Sequence, residues 1–252
     1  MKGEKKWLGA LLLLCCVVFG STPVCAYMSE GPCVDINNSN LKASGFINSS
    51  DIDYKIDIGS FKDLKVELER KIIGFSLTKG ISKQLDVFGT AGYLFDGSLK
   101  PENVDDFDMD SGYFLSAGAR YMLYQSGNLS FHMFGQFDYI LKEKYSTTQN
   151  GVDADFELDG YELTVGGAIR FQVDDSVDAY ASLSFVPLTG LSYDYEERWG
   201  GRSSSSDGDL ERDDNLGFRV GASYLINDQW SIRGEANFVS DKAFLVSAGM
   251  RF

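Results

Sequence analysis

Histidine occurs once in this chain, at position 132, two residues after Ser130. An imidazole can serve as base or metal ligand, but catalysis needs a nucleophile and an orienting acid set around it. No nucleophile–base pair can be named from the spacing, so His132 reads as a hydrogen-bonded interior residue. A second candidate is Asp106-Phe-Asp108-Met-Asp110, whose alternating carboxylates look like the start of a calcium loop. The full pattern needs Gly sixth and Glu twelfth. Those positions hold Ser111 and Ala117, which excludes an EF-hand. With Asp153, Asp155, Asp207, Asp209, Asp213 and Asp214 the run makes an acidic rim. That rim reads as solvated, with weak Ca²⁺ or Mg²⁺ binding as its functional counterpart. No cofactor motif is present.

A third set is defined by parity. Asp86, Arg120, His132, Asp138, Glu162, Arg170, Arg219, Arg233, Glu235 and Arg251 fall at alternate positions of strand-like runs, on one face with many glycines. The opposite face carries Tyr93, Phe95, Tyr113, Tyr121, Tyr139, Tyr161, Phe171, Tyr224, Trp230, Phe238 and Phe252. A soluble sandwich would bury those aromatics, but its other face would not be expected to gather so many arginines and glycines. A membrane barrel accounts for both faces, with an aromatic girdle outside and a polar lumen inside.

The runs that position these residues are 84–96, 111–123, 128–142, 156–172, 178–195, 214–225, 229–239 and 243–252. Most reach the roughly 9–11 residues that a tilted spanning strand needs. Tight turns at 79–83, 125–127, 173–176 and 226–228 carry Gly, Asn, Asp and Ser. Long acidic connections near 97–110, 143–155 and 196–213 would be surface loops. Val66 to Thr78 supplies a further strand, in which Val66 and Leu68 lie on one parity and Ile73, Phe75 and Leu77 on the other. A β-bulge near Arg70-Lys71 would reconcile them. A first strand falls within 41–59. The expected fold is therefore all-β, a transmembrane antiparallel up-and-down barrel of ten strands, with eight as the alternative.

The two ends agree with this setting. Lys2, Lys5 and Lys6 precede an apolar run from Leu8 to Phe19, and Val24-Cys25-Ala26 offers small residues for cleavage between Ala26 and Tyr27. The apolar run is too short for a spanning anchor, and no later segment is apolar enough to form a spanning helix. The expected organisation is a signal peptide over 1–26, a periplasmic lead over 27–40 and a barrel over 41–252. Loss of three lysines and one glutamate would take the net charge from −14 to −16, which argues against a nucleic-acid partner. The last strand alternates Phe244, Val246, Ala248, Met250 and Phe252 outward with Arg251 inward.

The signal, the strand–turn–strand units such as Ile73 to Tyr93, and the terminal Ala248-Gly-Met-Arg-Phe252 resemble the small outer-membrane β-barrel proteins of Gram-negative bacteria, the porin-like and OmpA-like barrel domains. The resemblance covers 41–252 and implies residence in the bacterial outer membrane, among lipid and lipopolysaccharide. It also implies that the terminal aromatic strand is read by the barrel assembly machinery. The omptin proteases, ten-stranded barrels, use paired aspartates and an Asp-x-His unit at the surface end, where this chain has Ser130-Phe-His132. The His-x-Ser pattern of some lipid-modifying barrels is absent as well. The expected role is a structural or narrow porin-like passive barrel, not an enzyme, with a surface-loop adhesin as the alternative.

Overall fold

The computed structural model describes residues 31–34, 40–58, 61–102, 106–149, 151–238 and 241–252. The segment 1–26 and the bond between Ala26 and Tyr27 lie outside them. Period-two alternation dictates strands, and among the described residues there are eleven: β1 (Leu41–Ile58), β2 (Phe61–Gly80), β3 (Leu85–Pro101), β4 (Phe107–Ser126), β5 (Leu129–Gln149), β6 (Val152–Gln172), β7 (Val177–Trp199), β8 (Arg202–Arg212), β9 (Leu216–Leu225), β10 (Trp230–Phe238) and β11 (Asp241–Arg251). All pairings are antiparallel. Side-chain oxygens hold the tight turns, as where Asp174 Oδ1 accepts from the backbone N–H groups of Ser176 (2.7 Å) and Val177 (2.9 Å).

The strands close into two rings, one above the other. In the lower ring β7 pairs with β9 from Val177↔Tyr224 to Phe185↔Leu216, and β11 pairs with β1 from Lys42↔Arg251 to Ile52↔Asp241. That ring has ten strands, β1 to β7 and β9 to β11. Above it β9, β10 and β11 have ended, and β8 bridges β7 (Leu191↔Leu210) to β1 (Ile56↔Leu210). The upper ring therefore has eight. The expected count of ten holds in the lower ring, and eight is the count in the upper.

The surface changes character between the rings. Around the lower ring Phe75, Leu115, Phe171 and Val246 are each about half exposed, an apolar belt far more extensive than a soluble surface carries. Tyr93, Tyr113, Tyr139 and Tyr161 edge it at the top, and Tyr121, Phe171, Tyr224, Trp230 and Phe252 at the bottom, all facing outward. Above the belt the outer face turns acidic, with Asp153, Asp155, Glu157 and Asp159 along β6, while Ala154, Phe156 and Leu158 point inward.

This inversion corrects two expectations. The segments 97–110, 143–155 and 196–213 are largely strand, because their apolar residues face an inner core and their acids face water. The parity conflict in β2 likewise needs no bulge in that strand. Val66, Leu68, Arg70 and Ile72 are all buried in unbroken alternation, and Ile73, Phe75 and Leu77 face lipid lower down. A register shift does occur between Lys71 and Ile72, but the extra residue is Phe95 on β3.

Candidate functional site in the barrel interior

Among the described residues the interior collects buried ionisable side chains at several levels, and it is filled rather than open. At its floor Arg120 grips Asp86 through Nε and Nη2 at 2.7 and 2.9 Å, with neither side chain exposed. Such a forked pair meets the desolvation cost that a lone buried charge could not. Arg170 pairs with Asp178, and Glu235 lies between Arg233 (2.7 Å) and Arg219 (3.4 Å). Arg251 and Lys42 border a cavity of about 30 Å³ with Arg170 and Arg233, room for little more than a water.

Residues 31–34 occupy this floor. Arg120 Nη1 donates to the Gly31 carbonyl and Arg170 Nη1 to the Val34 carbonyl, both at 3.0 Å. Cys33 and Val34 are buried, Cys33 beside Ala168 and Tyr180. The lead expected over 27–40 as a periplasmic extension thus enters the bore where it is described, because its backbone carbonyls satisfy lumen arginines. Beneath it a polar vestibule of about 240 Å³ is lined by Lys83, Gln125, Asn128 and Gln172.

His132 belongs to the same layer. The Val34 N–H donates to its Nδ1 at 3.2 Å, and its Nε2 lies 2.8 Å from Ser130 Oγ. A ring whose Nδ1 accepts carries its proton on Nε2, so it donates to Ser130 and cannot take that hydroxyl's proton. At mid-height Asp138 accepts from Gln136 (2.7 Å), and Glu162 accepts from Tyr54 (3.2 Å) and Arg212 (3.1 Å). Higher still, fully buried Arg70 pairs with Glu143, which also accepts from Tyr145 at 2.6 Å.

Above these charges the upper ring is packed with apolar side chains. Phe107, Phe156, Leu158, Leu191, Tyr193 and Leu210 belong to one buried apolar cluster, with Phe156 stacked on Tyr193 at 5.2 Å and 7°. Rings also lie flat across neighbouring strands in the lower half. A Cβ placed on Gly92 would meet Phe114 at 2.0 Å, and one on Gly118 would meet Phe88 at 2.3 Å. Gly92 and Gly118 are therefore seats for aromatic rings, not empty space.

Of the ten residues expected to point inward, Asp86, Arg120, His132, Asp138, Glu162, Arg219, Arg233 and Glu235 are buried, and Arg170 and Arg251 are half-buried. Among the described residues Arg70, Glu143, Arg212, Asp178 and Lys42 are further buried charges of the interior that escaped sequence reading. Glu143 and Arg212 fell in segments read as loops, and Arg70 at the supposed bulge, so no parity was assigned to them. In β11 Phe244, Val246 and Ala248 face lipid, Met250 is half exposed, and the Phe252 N–H closes onto the Leu41 carbonyl at 2.8 Å.

Two solved structures share this architecture. The translocator domain of the autotransporter NalP from Neisseria meningitidis superposes with a TM-score of 0.54 at 13% identity, over 86% of this chain and 90% of that one. The outer membrane protease OmpT from Escherichia coli gives 0.55 at 9% identity, over 92% of this chain and 99% of that one. The chain has the fold of an outer-membrane β-barrel. Its lipid-facing belt and that fold together place it in the bacterial outer membrane. No protein-family model matches the barrel, and no curated protein sequence does. Relative to OmpT the likeness is one of fold, and the barrel's one histidine lies at the floor, beside residues 31–34.

Proposed function

We propose that the chain is a closed outer-membrane barrel that works from its outer face, its eight-stranded tower serving to bind an external partner. The observation that carries this reading is the filled bore: an apolar cluster seals the upper ring, and paired charges with residues 31–34 occupy the lower. A passive channel would need a continuous aqueous path, for which this packing leaves no provision. A protease reading lacks its chemistry, since His132 donates to its nearest hydroxyl and sits at the periplasmic end. The tower rises on β5 to β8 well above the belt, with an acidic outer face, as a recognition surface held clear of the lipid would. The terminal strand β11, which closes the ring against β1, is the segment the assembly machinery would read, and the signal segment over 1–26 would direct export.

The test is adherence. A non-adherent bacterial strain displaying the full chain should attach to cultured epithelial cells. Replacing 194–207 by an Asn-Gly turn should abolish attachment while folding, read as heat-modifiable migration, persists. Equal attachment with and without the chain would refute the role.

A further inference from the structure

The tower ends in a strand with only one neighbour. From Arg202↔Trp199 to Leu210↔Leu191, β8 pairs with β7 in unbroken register, whereas β1 meets it only at Leu210, Glu211 and Arg212. Among the described residues, the far edge of β8 from Arg202 to Asp209 has no partner strand. Such edges are ordinarily blunted by charged side chains, Lys above all, by Pro or by a bulge; this stretch has no Pro, Lys or bulge, and its charges are Arg202, Asp207 and Asp209.

The turn above sets which groups the edge offers. Gly200 and Gly201 both have positive φ (52° and 80°) between the paired Trp199 and Arg202, as in a two-residue type I′ hairpin. The residues flanking such a turn exchange both backbone hydrogen bonds, and bonded pairs then alternate along the ladder. Even-numbered residues of β8 therefore bond to β7. Ser203, Ser205, Asp207 and Asp209 direct their N–H and C=O groups to the open side. The same four are exposed. The open ladder spans about 20–25 Å at about 3.4 Å per residue.

We propose that this edge is a docking site for an extended segment of an external protein that carries basic side chains at alternate positions and joins the sheet as its next strand. Backbone pairing would supply affinity, and side chains would supply choice. The charge of the occupant follows from the outer face. Asp207 sits directly opposite Asp194, and Asp209 lies one repeat below, on the face that each odd-numbered residue presents. Adjacent like charges repel, and a cation on the incoming strand would relieve them. The proposal deepens the surface-binding reading and rests on it.

The full chain, refolded into neutral lipid vesicles, is titrated with two fluorescent acetylated peptides of about ten residues, (Lys-Thr)5 and (Lys-Pro)5. They carry equal charge, but only the first can donate backbone hydrogen bonds along a strand. The first should bind at least tenfold more tightly. Ser205→Pro removes an edge N–H without touching the ladder to β7, and Asp207→Lys with Asp209→Lys reverses the edge charge. Each change should weaken (Lys-Thr)5 at least tenfold. Equal binding of the two peptides, or binding unchanged in the folded variants, overturns the proposal. So does cross-linking between copies that Ser205→Pro abolishes, which would assign the edge to a second copy of the chain. The outcome is separable from the adherence assay: normal adherence with edge-blocked variants refutes the edge alone, and absent adherence with strand-specific peptide binding refutes the role alone.

Discussion

Replacing Phe156 by Ala should destabilise the barrel by about 3–5 kcal/mol, the usual cost of emptying a buried phenylalanine site. Phe156 is 2% exposed, stacks on Tyr193 at 5.2 Å and touches Phe107 across 6.4 Å between ring centroids. Phe156 is held in paired ladders on both sides, opposite Tyr145 on β5 and Tyr195 on β7, so the local wall resists collapse into the cavity, which favours the upper part of that range. The stack itself should contribute about 0.5–1.5 kcal/mol, readable as the coupling in a cycle with Tyr193→Leu. The assay is urea unfolding of the protein refolded in vesicles, followed by tryptophan fluorescence. With an m-value of about 2 kcal/mol/M, the midpoint should fall by about 2 M. Ser203→Ala, on the outer face of the same tower, should change stability by less than about 0.5 kcal/mol. A loss below about 1 kcal/mol for Phe156→Ala would refute the packed tower, because a ring in a wet lumen has no such transfer energy to lose.

Three further outcomes follow from other layers. Glu143→Ala leaves Arg70 buried without its carboxylate and should cost about 3–5 kcal/mol, whereas the double change Arg70→Met with Glu143→Leu should recover most of it; an additive double variant would show that the pair is not closed. Asp51 lies above the belt, where burial and then the nearby Glu69 and Glu67 carboxylates push its pKa up to about 6. Its folded pKa exceeds the unfolded value, so stability should decline as pH rises from about 4 to about 6; Asp51→Asn should be the more stable form at pH 8 and equal to the parent near pH 3.5, and a stability difference independent of pH would contradict this. From Tyr27 onward Cys33 is the only thiol, so a bulky maleimide should label the vesicle-embedded protein slowly. Arg170→Ala should speed labelling at least tenfold, and rapid labelling of the parent would place residues 31–34 outside the bore.

Much of the lower ring was legible from parity alone. Leu216, Phe218, Val220 and Ala222 alternate with Gly217, Arg219, Gly221 and Ser223 without exception, because lipid on one side and a polar lumen on the other impose opposite chemistry on adjacent residues. The tower was not legible by the same rule. There Phe156 and Leu158 occupy the parity that carries Glu162 and Thr164 below, since water has replaced lipid outside and an apolar core has replaced the polar lumen inside. A run such as Asp153 to Asp159 then reads as an acidic loop unless the inversion is anticipated. The entry of residues 31–34 into the bore left no periodic trace, as it depends on single carbonyls meeting Arg120 and Arg170. One signal for the filled lumen was present: inward glycines such as Gly92 and Gly118 stand in register with inward rings at Phe114 and Phe88, a pairing that seats aromatics across the bore.

Whether the barrel conducts is the most direct question to put to it. The full chain, refolded and checked by heat-modifiable migration, would be inserted into a planar bilayer and held at either polarity. A bore sealed by the Phe107, Phe156, Leu158, Leu191, Tyr193 and Leu210 cluster above and by residues 31–34 below should give no current above the bare membrane. Discrete, reproducible conductance steps from the folded protein would contradict a closed barrel and restore a channel as its function.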